Sequence, residues 1–408
     1  MSFLKDIGVA IGAMLVVMVL FELGLRLAGA KYEPSFYESD PVLYWALRPK
    51  AHGWAIKEGE NFVQINHWGM RDRERTLTPA PGTIRIALLD ASMIVAEQVP
   101  LEKTIGQVLE AKLETELGSP GRSMEVLNFA VDSYTLAQER LILQGKVWAF
   151  QPNIVILFWT PNSVFSCDRH LFRAKAPYFV VRDGQVVPDP KNQPPAEFSP
   201  SERRWNAMLS DLENQIRLLQ LLRQVKKRGI PQEIDKLRGA KPPASNRNIT
   251  INMWFHPPSS PDQEHAWQVA EGLLGLMAED AQRHGAEFWV APIGPEIEEN
   301  PNPEDRANFL RAQGITSFSY TEKRLEAVAA VHGVKFIPLE ARLLEYAERN
   351  HVSLRGFFNT RPNYGHWNEN GHAAAASIVA DSLLQSHSGS NPSLQSMQTK
   401  VPNTRGGS

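Results

Sequence analysis

Apolar residues form three kinds of pattern along the chain, and each predicts a different element. The first is a continuous run. Ile7 to Phe21 holds fifteen residues without a charge, and from Ile7 to Ala30 the only charged residues are Glu22 and Arg26. A helix needs about 20 residues to cross the hydrocarbon of a bilayer. Glu22 and Arg26 stand at i and i+4, a spacing that lets them pair on one helix face near the interface and lowers the cost of insertion. The run predicts one membrane-spanning helix within residues 1–30. Two other readings stay open. Ala28-Gly29-Ala30 fits a signal-peptidase site, which would make the run a cleaved signal, and an apolar run can also be a buried core helix. Anchor and signal alike carry the rest of the chain across the membrane. The flanking cations, Lys5, Arg26 and Lys31, are too few and too even to set orientation.

The second pattern is a series of short apolar runs: Thr83 to Leu89, Met124 to Asn128, Asn153 to Trp159, Glu287 to Ala291 and Val334 to Pro338. Such runs read as strands buried on both faces. The third pattern is helical, at 101–117, 135–149 and 369–385, and again ahead of 287 and 334. This alternation predicts an α/β domain with a mainly parallel sheet and helices on both faces. The domain spans 81–385, with a lead-in at 31–80 that holds short strand-like pieces such as Asn61 to Ile65. An insertion, 175–263, separates the third and fourth strands. Tyr178 to Val181 and Gln185 to Val187 flank Arg182-Asp183-Gly184, a predicted hairpin. Prolines 188, 190, 194, 195 and 200 then break regular structure. Residues 201–228 predict one amphipathic helix, ending in Lys226-Lys227-Arg228, and 229–263 reads as loop. The insertion either shapes a substrate cleft or is a solvated excursion. The tail, 386–408, is rich in Ser, Asn and Gly and reads as disordered.

Composition narrows the function classes. Lys and Arg number 43 against 45 Asp and Glu, so no basic excess points to nucleic acid. The single cysteine, Cys167, forms no internal disulfide and joins no zinc-type Cys/His cluster. It reads as an inert loop thiol. No P-loop, GxGxxG or HExxH pattern is present, and no cofactor or metal is expected. Asn248-Ile249-Thr250 fits a glycosylation sequon, which matters only in a eukaryotic source.

Reactive groups of open α/β sheets gather beyond the carboxyl ends of the strands. Asp90-Ala91-Ser92 follows the first strand, Phe129-Ala130-Val131-Asp132-Ser133-Tyr134 the second, and Thr160-Pro161-Asn162-Ser163 the third; Asn363-Tyr364-Gly365-His366-Trp367-Asn368 precedes the last helix. A serine nucleophile needs an imidazole base and donors for an oxyanion, and these four loops hold such groups. Each also has a plainer reading: Ser92 as a helix cap, Asn162 as a turn residue, His366 as a structural histidine. His372, six residues on, sits inside the last helix.

With these blocks in this order behind an N-terminal anchor, the chain resembles the membrane-anchored SGNH/GDSL-type hydrolases. Arg85 to Ser92 aligns with the first block, usually ending Gly-Asp-Ser. Asn128 to Tyr134 aligns with Asn-x-Gly-Val-x-Gly-Tyr, Pro161-Asn162-Ser163 with Gly-Asn-Asp, and His366 to His372 with His-x-Asn-x-x-Gly-His. The resemblance also covers Leu47-Arg48-Pro49-Lys50 and Ile65 to Asp72, and runs over residues 7–385. It implies a three-layer α/β/α sandwich, Ser92 as nucleophile and His366 as base. The oxyanion would be held by the backbone N–H groups of Ser92 and Ser133 and by the Asn162 side chain. It implies O-acyl groups of an exported glycan, or lipid esters, as substrate, and an extracytoplasmic domain (periplasmic in a Gram-negative cell). It names no protein partner.

The departures bear on activity. Asp90-Ala91 replaces Gly-Asp ahead of the serine, and Ser133 replaces an oxyanion glycine. The family's acid falls at Asn363 or Tyr364, which leaves Asn363 as the group to orient His366. An asparagine in place of the acid costs a serine protease about 10⁴ in kcat. Asp90, Asp132 or Asp168 are the acids that could replace it in space. The alternative expectation is a catalytically impaired member serving as a glycan-binding or scaffold part of a membrane assembly.

Overall fold

The computed structural model describes residues 2–228 and 246–388. Its first element is a helix, Ser2–Leu27, whose most apolar 18-residue window, within Asp6–Leu27, has a mean hydropathy of 2.4 and is not buried in the protein. That helix is long and apolar enough to cross a membrane. The lead-in that follows folds into two antiparallel hairpins, β1 (Tyr37–Asp40) with β2 (Tyr44–Leu47) and β3 (His52–Ala55) with β4 (Asn61–Gln64).

The body is an α/β sandwich around a five-stranded parallel sheet. Its strands are β5 (Thr83–Leu89), β6 (Ser123–Asn128), β7 (Ile154–Trp159), β10 (Glu287–Pro292) and β11 (Lys335–Phe336), in the order β11-β10-β7-β5-β6. β7 lies at the centre and all six of its residues are buried, as expected for a strand covered on both faces. One helical layer is formed by Ile105–Leu117, Leu339–Asn350 and Glu369–Ser388, the other by Leu136–Gly145, Pro161–Phe165 and Pro261–Arg283. The pairings Leu88 with Asn128, Leu89 with Leu157 and Pro292 with Trp159 bring the carboxyl ends of four strands to one edge. Their loops therefore open onto a common face.

The insertion departs most from expectation. Its hairpin is present, as β8 (Phe179–Arg182) and β9 (Gln185–Pro188), with Asp183 and Gly184 both at positive φ as a type I′ turn requires. Residues 201–228 are not one helix but two, Pro200–Gln215 and Arg217–Arg228, divided at Ile216, whose backbone is extended. The break has a tertiary cause. The Glu22 carboxylate accepts from the backbone N–H groups of Arg217 (3.1 Å) and Leu218 (2.9 Å), capping a new helix where local pattern shows none. The predicted loop 229–263 contains the helix Asn246–Phe255 and the first turn of Pro261–Arg283. The former is rich in weak helix formers and is held by burial of Met253, Trp254 and Phe255. Residues 229–245, and 389–408 of the expected disordered tail, lie outside the described residues. The last helix runs to Ser388, past the predicted end.

Candidate active site

Ser92 opens a four-residue helix directly after β5 and Asp90-Ala91. The cap position belongs to Ala91, so Ser92 is not the helix cap. Its Oγ lies 2.9 Å from Nε2 of His366, 274 positions away. The other ring nitrogen, Nδ1, lies 2.9 Å from Oε2 of Glu58, and the same oxygen accepts the His366 backbone N–H at 2.9 Å. An ionised carboxylate only accepts, so it holds the ring proton on Nδ1 and leaves the Nε2 lone pair facing the Ser92 hydroxyl. Burial raises the Glu58 pKa, but hydrogen bonds from the imidazole and backbone of His366, with the charges of His366 and Arg355, outweigh it. The carboxyl is held below its ordinary range.

Glu58 sits between β3 and β4, in the lead-in segment, and was absent from the sequence expectations. Its loop is fastened by one side chain. Asn359 accepts from the Gly59 N–H at 2.7 Å and donates to the carbonyls of Ile56 and Gly59, both at 3.2 Å. Close approach of the carboxylate needs a glycine opposite: a Cβ on Gly365, at φ +81°, would sit 2.6 Å from Glu58 Oε2.

The expected orienting group, Asn363, is elsewhere. Its Oδ1 accepts from Ser353 Oγ at 2.6 Å and its N–H donates to the Arg355 carbonyl at 3.1 Å. It shapes the turn before His366, at φ +58°, and leaves the ring to Glu58. None of the three aspartates that could replace the acid bonds the His366 ring, whose partners are Glu58 and Ser92. Asp168 pairs with His265 Nδ1 at 2.7 Å. Asp132 is on the β6 loop, where its carbonyl accepts from Trp45. Asp90, two positions before Ser92, is buried, accepts from the Ile94 N–H at 3.3 Å, and burial pushes its carboxyl up to about 7. Glu139, buried near it, is pushed well above the carboxylate range by burial and by Asp90.

Asn162, in the first turn of Pro161–Phe165, lines a cavity of about 350 Å³ together with Ser92, Thr250, Ile251, Ile293 and Glu296. Ser133 is exposed on the β6 loop at φ +63°, the left-handed region that a glycine takes without cost. Cys167 is buried, its thiol donates to the Ser163 carbonyl at 3.1 Å, and burial pushes it far up, as suits an inert thiol.

A buried ionic cluster braces the floor of the cavity. Arg355 makes a two-pronged pair with Glu299, Nε to Oε2 at 3.0 Å and Nη2 to Oε1 at 2.6 Å. It also donates to the carbonyls of Gly294 and Gly365, both at 3.0 Å, joining the β10 loop to the residue before His366. Trp367 Nε1 donates to Glu299 at 2.9 Å. Burial pushes the nearby Glu298 and Glu340 up. Arg355→Ala is expected to lower stability by about 3–5 kcal/mol, because it strands the buried Glu299 carboxylate. Urea unfolding checks this, and a loss under about 1 kcal/mol contradicts it.

His372 is fully buried and packs against Trp367, with burial, Arg71 and His366 lowering its pKa to about 3 from 6.5. The unfolded chain therefore takes up a proton that the folded one refuses, and stability falls as pH drops from 6.5 toward 3. His372→Leu is expected to flatten this acid limb in melting curves recorded across that range.

No protein-family model matches the chain, and no curated protein does. Solved structures are similar to it at low level. TesA has a TM-score of 0.34 and 13% identity, over 73% of this chain and 97% of that one. The acetyl xylan esterase AlAXEase has 0.34 and 12%, over 74% and 100%. The lipase/acylhydrolase from Enterococcus faecalis has 0.32 and 10%, over 74% and 96%. The functional reading rests instead on the geometry of the site.

Proposed function

We propose that this chain is a serine ester hydrolase or O-acyl transferase of the SGNH/GDSL type, anchored by its N-terminal helix with the α/β body outside the cytoplasm. One observation carries this reading: the continuous hydrogen-bonded relay from Ser92 through His366 to Glu58. Ser92 Oγ attacks the ester carbonyl while Nε2 of His366 takes its proton, and the Glu58 carboxylate stabilises the resulting imidazolium. The backbone N–H groups of Ser92 and Ser133 and the Asn162 amide receive the oxyanion. The imidazolium then protonates the departing alcohol; His366 next takes a proton from water or a sugar hydroxyl, which attacks the acyl carbon, and returns that proton to Ser92 Oγ as the acyl–Ser92 bond breaks. The substrate we favour is an O-acylated glycan, with a lipid ester as the other member of the class. An open cavity with polar Asn162, Thr250 and Glu296 beside Ile251 and Ile293 suits a small acyl group on a hydroxylated carrier.

The competing reading, an inactive glycan-binding scaffold, drew its force from a missing acid. Glu58 stands in the place that acid would take. The test is aryl acetate turnover together with covalent capture by a fluorophosphonate. The wild-type chain should turn over the ester and carry one phosphonyl group on Ser92 by mass spectrometry; no turnover and no adduct would reject the proposal. Asn162→Ala is expected to lower kcat by about 10²–10³ with KM little changed, the loss typical of one oxyanion donor. Steady-state kinetics on the same ester checks it.

A further inference from the structure

The helix Pro200–Gln215 is amphipathic the wrong way round for a helix on a soluble domain. Its contacts to the body are made by polar side chains. Asp211 pairs with the buried Arg48, and Asn214 bonds the backbone of Ser35 through both amide atoms. Its apolar side faces outward. Trp205, Met208, Leu209 and Leu212, at i, i+3, i+4 and i+7, are 58%, 50%, 43% and 47% exposed. Leu222 and Val225 of Arg217–Arg228 are exposed as well, at 56% and 50%.

This surface is joined to the apolar N-terminal helix. Glu22 of that helix caps Arg217–Arg228, Arg26 donates to the Gln215 carbonyl at 2.8 Å, and Arg217 donates to the Ala30 carbonyl. The contacts cluster at residues 22–30, where the apolar run ends and a bilayer surface would lie. Water is a poor neighbour for a helix face carrying Trp, Met and two Leu; a lipid interface is a good one.

We infer that Pro200–Gln215 and Arg217–Arg228 lie in the surface of the bilayer that the N-terminal helix crosses, with Trp205, Met208, Leu209 and Leu212 sunk among the acyl chains. The inference rests on reading the N-terminal helix as a membrane span, and does not need the esterase reading. Such helices sink about 5–10 Å below the headgroups. They would hold the body in a defined orientation to the membrane, where a single-pass anchor alone leaves it free to tumble.

The test uses the full chain in phosphatidylcholine and phosphatidylglycerol vesicles, with part of the phosphatidylcholine spin-labelled near the headgroup end of its acyl chains in one sample and near their methyl end in another. Single thiols are placed by Met208→Cys, Leu212→Cys, Val16→Cys and Val331→Cys and given an environment-sensitive fluorophore; Cys167 is buried and stays unlabelled. Retained aryl acetate turnover shows that each variant folds, and circular dichroism shows it if the chain proves inactive. Labels at 208 and 212 are expected to lose emission to the shallow spin label and the label at 16 to the deep one, while the label at 331, on an 81% exposed side chain, keeps its emission with both. Labels at 208 and 212 as bright as that at 331 overturn the inference. If the label at 16 is then quenched, the span survives and only the interfacial helices fail; if it too is bright, both fall.

Discussion

Ser92→Ala is expected to reduce kcat on an aryl acetate by about six orders of magnitude, and His366→Ala by as much. The size follows from the relay. The alanine variant lacks the oxygen that attacks the carbonyl, and without the imidazole that oxygen keeps its proton, so either change disables the same step. The double variant should then be no slower than either single one, since residues acting as a unit are not additive. Ser92 is half-buried beside the cavity and its hydroxyl bonds His366, so its loss should leave melting behaviour nearly unchanged. Steady-state kinetics with matched circular dichroism decides the matter. A folded Ser92→Ala variant within tenfold of the wild-type rate removes the nucleophile and the esterase reading with it.

Glu58→Gln is expected to cost about 10⁴ in kcat with KM little altered, the penalty seen when the orienting acid of a serine triad becomes an amide. A glutamine can turn its N–H toward Nδ1 and so place the ring proton on Nε2, where it opposes Ser92; it also offers no charge to the imidazolium. Asn363→Ala, by contrast, should lower activity only modestly, through the turn it shapes with Ser353. Glu58→Asp keeps the charge on a shorter stem and should recover part of the loss. Because the Glu58 carboxyl is held below its ordinary range, it stays ionised through the pH range where an ordinary carboxylate takes up its proton, and its support of the ring is lost only as pH falls through that lowered value. A pH profile of Glu58→Gln that runs parallel to wild type at every pH, with a loss below tenfold, would show that Glu58 is structural. A comparable collapse in Asn363→Ala would return the orienting role to that residue.

The five sheet strands were legible because a parallel strand covered on both faces must be apolar throughout, and that requirement is written locally, as in the fully buried β7. The positions of Ser92, Asn162 and His366 after strand ends or before a helix were legible for a related reason: chemistry in such sheets collects where strands stop. Glu58 was not legible. It lies in Lys57-Glu58-Gly59-Glu60, a polar turn like many others, and nothing in its neighbourhood distinguishes it from Glu60 beside it. Its role depends on Asn359 and Gly365, about 300 positions away, which hold its loop and admit its carboxylate. The division of 201–228 into two helices was hidden in the same way, since its cause is a carboxylate on residue 22.

The sequence by itself thus determined the apolar N-terminal run, the parallel α/β body, and a serine and a histidine set at the proper edge of the sheet, because each follows from periodicity or from the covalent order of strand and loop. Tertiary structure alone decided which acid faces the imidazole and which way the helix Pro200–Gln215 turns its apolar side. Both depend on contacts between segments far apart in the chain. A hydrogen bond needs placement to a few tenths of an ångström, and only the assembled fold supplies that.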